Sequence, residues 1–99
     1  MATELRDYRI RNGSLQQFVD EWLAGIAPLR GELGFTIERA WKAEDSSRFV
    51  WVVSHPGGWE DFEEADRAYY ASPRRTSLAP NPARLIEEQI ISRLTEVEI

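Results

Sequence analysis

The sequence predicts an α+β fold in which two helices cover one face of a four-stranded antiparallel sheet. Three observations carry this: an apolar stripe at helical spacing from Leu15 to Leu29, a hairpin whose second strand is apolar on both faces, and a second helix opening at Trp59 ahead of a last strand pattern. A chain of 99 residues fits a single domain spanning 1–99, because a core of that size buries roughly two thirds of the surface its unfolded chain exposes.

The first strand is expected from Thr3 to Arg11, where Leu5, Tyr8 and Ile10 stand among charged residues and Asn12-Gly13 supplies a turn. Ser14-Leu15-Gln16-Gln17 has the form of a capping box, so a helix should start there. Leu15, Phe18, Val19, Trp22, Leu23, Ile26 and Leu29 then recur at steps of three and four, with Gln16, Asp20 and Glu21 facing water. Pro28 lies near the end of this helix, where its missing N–H can kink the last turn, and Gly31 or Gly34 supplies the left-handed stop near Arg30.

Phe35 to Lys42 alternates with period two, Glu44-Asp45-Ser46-Ser47 turns, and Phe49 to Val53 runs apolar without a break. The first of these strands needs only one covered face, as at a sheet edge, whereas the second should be central. Pro56-Gly57-Gly58 ends it, and a second helix runs from Trp59 to about Ala71, its early carboxylates suited to the helix dipole. Ser72-Pro73 breaks that helix, Arg74 to Leu78 makes a short turn, Ala79-Pro80-Asn81-Pro82 is a loop, and Gln89 to Ile99 returns to a strand pattern. Right-handed crossovers close the order β-α-β-β-α-β into the ferredoxin-like arrangement. Its second sheet face has no helix over it. Since burial of one Trp or Phe is worth about 2–3 kcal/mol, apolar groups on that face predict a homodimer packed sheet to sheet.

A formal net charge of −5 argues against binding to nucleic acid. With no cysteine, thiol chemistry and disulfides are excluded. Met1-Ala2-Thr3-Glu4-Leu5-Arg6 lacks the apolar stretch of a signal peptide and no apolar run is long enough to span a bilayer, so a cytoplasmic location is expected. Glu60, Asp61, Glu63, Glu64 and Asp66 have no His or Cys companions at ligand spacing and read as a solvated helix face, with no metal expected. Arg74 and Arg75 read as complements to a helix dipole.

The run Glu4-Leu5-Arg6-Asp7-Tyr8, then Asn12-Gly13, Phe18 and Trp22, resembles the opening of NIPSNAP-like proteins, and Gly34-Phe35, Trp41, Phe49-Val50-Trp51 and Ala68-Tyr69-Tyr70-Ala71-Ser72-Pro73 resemble the middle of small bacterial members. The resemblance covers nearly the whole chain. It implies a dimeric α/β barrel, formed by two sheets, in a family without a settled activity. Relative to the family, the chain has His55 in place of Tyr or Phe at the end of the third strand, and a Pro-rich last loop. Within that superfamily, cofactor-free oxygenases and haem-degrading enzymes place aromatic, Asn or His groups in a pocket between sheet and helices. By that resemblance Trp51, His55, Trp59 and Tyr69 line such a pocket. The haem-degrading pattern puts its histidine on the second helix, where this chain has none, so no haem or other cofactor is expected.

The chain's only histidine, His55, stands where a strand meets a Pro-Gly-Gly turn, and it either caps the sheet end by hydrogen bonding or acts as acid or base with Tyr69 or Tyr70. Trp41 and Trp51 share a face with a five-residue hairpin loop and are separated by a four-residue one. Arg39 shares a parity with Ile37 and Trp41, and Arg6 with Tyr8, so each projects a cation into a partly buried space. There it holds an anionic substrate, snorkels, or pairs across the interface with Asp7 or Glu38, and pairing is the simpler account. The first expectation is a homodimer taking a small apolar or aromatic ligand; a cofactor-independent oxygenase or isomerase and a structural interaction module are the alternatives.

Overall fold

A computed structural model describes residues 1–99. β1 (Ala2–Ile10) leads through Gly13, whose φ of 82° makes the turn, into a helical stretch of three parts: α1 (Leu15–Glu21), a π turn (Trp22–Ile26) and α2 (Ala27–Glu32). The hairpin of β2 (Thr36–Ala43) and β3 (Arg48–His55) follows, then α3 (Trp59–Ala71), the single turn α4 (Pro73–Thr76), a 3₁₀ turn (Pro82–Leu85) and β4 (Ile86–Leu94). The sheet is antiparallel in the order β2-β3-β1-β4, the ferredoxin-like topology, with β3 and β1 internal. No helix is long and apolar enough to cross a membrane.

Alternation places Tyr8 and Ile10 of β1, with Phe49, Trp51 and Val53 of β3, under the helices, where they join Phe18, Trp22, Ile26 and Leu29 in the core. Tyr8, Phe18, Trp22, Phe49 and Trp51 meet at centroid distances of 4.9–6.4 Å with steep interplanar angles, the edge-on geometry that ring quadrupoles favour. The aromatic half of β3 is thus covered by the chain's own helices. Of the apolar residues of β3 only Val50 and Val52 lie on the uncovered face, and register puts them in rows with Trp41, Asp7 and Ile90 and with Arg39, Leu5 and Ser92.

Several expectations are corrected. Ser14 makes no side-chain cap; its Oγ accepts from Arg11 Nε at 3.3 Å, and Gln17 turns to Glu21 instead. The π turn, closed by Ala27 N–H donating to the Trp22 carbonyl, adds a residue to the turn and leaves Leu23 56% exposed, outside the stripe. Pro28 follows directly, at the start of α2, where a missing N–H costs least. The helix runs on to Glu32 and stops at Gly34, φ 90°, with Phe35 N–H donating to the Arg30 carbonyl and Gly34 N–H to that of Gly31, a Schellman closure. Ala43 pairs with Arg48 across a four-residue loop, so Trp41 faces out, half exposed, while Trp51 is buried. β4 starts three residues earlier than expected and ends at Leu94, leaving Val97 and Ile99 exposed beyond it.

Candidate functional site

Arg6 and Tyr8 sit two apart on an internal strand, which aims both side chains at the helical layer. There they meet Arg30 of α2, Tyr69 and Tyr70 of α3 and Arg75 of α4 around a cavity of about 340 Å³, closed on its far side by the start of β4. The local sequence explains each placement. Arg30 stands four residues after Ile26 and eight after Trp22, on the buried stripe of the helix, and is 1% exposed. Tyr69 turns into the core and Tyr70 towards the opening, their rings 4.9 Å apart and near perpendicular. The extended Ser72 and Pro73 then redirect the chain so that the Arg75 guanidinium lies 5.7 and 5.6 Å from those two rings.

The site is dense in charge. Arg6 Nε donates to Glu4 at 2.7 Å, and its Nη1 to the hydroxyls of Tyr70 at 2.9 Å and Tyr8 at 3.3 Å. Arg30 Nη1 donates to Asp66 at 2.7 Å, and Arg6 Nη2 stands 3.6 Å from the same oxygen. The Arg30 guanidinium also lies 3.8 Å from the centre of the Tyr69 ring and 4.7 Å from that of Phe35, positions where the ring face attracts a cation. Burial opposes the charge on Arg6, but Tyr8, Tyr70 and Glu4 outweigh it and the pKa is raised. Burial pushes the Tyr8 hydroxyl above its ordinary value, with Arg6 opposing, and does the same to Tyr69 against Arg30 and Arg75. Both phenols therefore stay protonated near neutrality and can donate hydrogen bonds.

Of the residues singled out from the sequence, Arg6, Tyr8, Tyr69 and Tyr70 converge on this cavity and four others do not line it. Trp51 lies beneath it, fully buried, its ring 5.7 Å from the Arg6 guanidinium and 5.6 Å from that of Arg30. Arg39 is on the opposite sheet face, because a register shift between Ile37 and Arg39 inverts the parity: Ile37 pairs with the buried Val53, but Arg39 with Val52. His55 Nδ1 accepts from Gly57 N–H at 3.2 Å, and its ring packs on Phe35. Trp59 packs on Phe62 and under Arg93, beside an open groove with Met1, Thr3 and Glu38.

Within the chain, Asp7 pairs with Arg48 on the open face, and Glu38 accepts from Ser54. Asp66 departs from the solvated face by turning in to Arg30. Arg74 pairs with Glu32, whereas Arg75 belongs to the cavity. Sequence reasoning missed Arg30, although a charge on an apolar stripe is a readable signal. It misjudged Arg75 because only the turn after Pro73 carries that residue inward.

Comparison with known proteins finds solved structures that share the fold. A NIPSNAP family protein from Agrobacterium tumefaciens superposes with a TM-score of 0.86 at 17% identity, covering 98% of this chain and 93% of its own. A NIPSNAP domain protein from Burkholderia xenovorans gives 0.85 at 16%, covering 98% and 95%. An antibiotic biosynthesis monooxygenase gives 0.71 at 13%, covering 99% and 100%. These likenesses establish the shared fold. No protein-family model matches the sequence, and no curated protein does.

Proposed function

We propose that the chain works as a homodimeric small-molecule-binding protein of the cytoplasm, in which residues 1–99 act as one domain and a metabolite with a flat body occupies the cavity between sheet and helices. The convergence of Arg6, Tyr8, Arg30, Tyr69 and Tyr70 on one space of about 340 Å³ carries the reading. That volume is at the lower end of small-molecule sites, and a few polar groups set among rings is how such sites fix orientation. The fold shared with NIPSNAP proteins is in keeping with it, since the neighbours from Burkholderia xenovorans and Agrobacterium tumefaciens are themselves described as uncharacterized or of unknown function.

Binding is favoured over catalysis by the position of His55. An oxygenase or isomerase using it with Tyr69 or Tyr70 needs the imidazole within hydrogen-bond reach of the cavity, whereas His55 is occupied by Gly57 and Phe35. Native mass spectrometry of protein purified from cells tests the proposal. A dimer that releases a small organic molecule on denaturation is expected, with the molecule lost from a Tyr69→Ala variant. A bare monomer at every concentration would overturn it.

A further inference from the structure

The arginines around the cavity are unequally paired. Arg6, Arg30 and Arg75 supply three cations, whereas Glu4 and Asp66 supply the two carboxylates that contact them. Arg75 is paired with no carboxylate: its one side-chain partner is the Asn81 amide oxygen, at 3.4 Å, and it lies beside the rings of Tyr69 and Tyr70. Glu87 and Glu88 also line the cavity, at the β4 rim, about half exposed and in contact with Arg9 and with Arg48, which Asp7 shares. Of the three arginines lining the cavity, Arg75 alone meets no carboxylate.

Two donors of these arginines are left unanswered. The Nε atoms of Arg30 and Arg75 are buried and have no hydrogen-bond partner, and both residues line the cavity. A buried donor left unpaired is costly, and on an arginine it is best answered by an anion. The guanidinium plane presents its donors as a fork that matches a planar carboxylate. The surrounding rings suit a flat body, and their phenols add neutral donors.

We propose that the cavity is built for a small organic monoanion, an aromatic or short-chain carboxylate, whose carboxylate group takes Arg75 and Arg30 as its cationic partners while its body lies against Tyr69 and Tyr70. The proposal rests on the small-molecule reading above and specifies the ligand's charge, which that reading leaves open.

Matched pairs separate the two claims: benzoate against benzamide and phenylacetate against phenylacetamide, titrated calorimetrically into the wild type, Arg75→Gln and Arg75→Lys. The acids are expected to bind about tenfold or more tightly than their amides. Arg75→Gln should erase that preference, and Arg75→Lys should keep part of it. Competition between each acid and its amide places both in one site. Equal affinity for acid and amide overturns the charge assignment while sparing the cavity, and a preference that survives Arg75→Gln overturns the role of Arg75. If no member of either series binds at millimolar concentration to a variant or wild type that circular dichroism shows folded, both readings fall.

Discussion

Arg30 occupies a place where the periodicity asks for another Leu or Ile, and what makes a charge tolerable there is the company it keeps. Asp66 neutralises it at 2.7 Å, while Tyr69 and Phe35 lie against the guanidinium. None of these is adjacent to it in sequence, so the charge on the stripe is legible but its purpose is not. Arg6 and Tyr8 were easier to read, since period-two alternation alone puts both on one face. Arg39 misled because a bulge leaves no mark in composition. The same burial that makes this site gives it a titration signature. Tyr8 and Tyr69 have folded pKa values raised above the ordinary 10.0, chiefly by desolvation and against the pull of the arginines. A raised folded pKa means stability is complete below the unfolded value and is lost as pH climbs through the folded one. The urea midpoint should accordingly be flat from neutrality to about pH 9 and fall beyond pH 10, with a shallower fall in Tyr8→Phe. A midpoint that rises above pH 10 would contradict the burial of these phenols.

At the scale of elements, the helix stop matters most to the site, because one closure fixes two of its neighbours. Phe35 N–H donates to the Arg30 carbonyl, so the turn at Gly34 sets both where α2 ends and where the Phe35 ring meets the Arg30 guanidinium. Gly34 has φ 90°, and a Cβ there would stand 3.4 Å from His55 Nε2. Gly34→Ala should therefore cost about 1–2 kcal/mol from the left-handed backbone, read as a lower urea midpoint with an unchanged slope; no loss of stability would mean the stop lies elsewhere. This glycine was one of two candidates visible in the sequence, and only the hydrogen bonds distinguish it from Gly31. The π turn was not visible at all. Trp22, Ile26 and Leu29 keep the spacing of an ordinary helix, and the extra residue shows itself only in the outward Leu23. Nor was the start of β4, where Glu87 and Glu88 hide a strand that, lying at the sheet edge, needs no continuous apolar run.

For the whole molecule, the question is what lies over the uncovered sheet face. The aromatic residues of β3 are under the helices, so the drive to pair is weaker than an all-apolar strand suggests, yet a patch remains. Trp41, Val50 and Ile90 share one row, Val52 and Leu5 the next, and Leu94 the one beyond; Trp41 and Ile90 are 50% and 49% exposed. The charges among them are largely matched already, with Arg48 held by Asp7 at 2.8 Å and by Glu88 at 3.5 Å, so a second copy can settle on this face without stranding that arginine in a dry interface. Val52 is the place to test it, being on an internal strand beside Leu5, away from the cavity and from every core ring. Val52→Glu should leave the far-ultraviolet spectrum unchanged and convert a sedimenting dimer to a monomer, since it puts a carboxylate in the middle of the apolar patch, where burial of a charge is costly even beside Arg39. Because association adds to stability by mass action, the wild-type unfolding midpoint should climb with protein concentration, and that of Val52→Glu should not. A wild type whose midpoint ignores concentration, and which sediments as a monomer, would leave this apolar face in water and remove the homodimer from the proposed function.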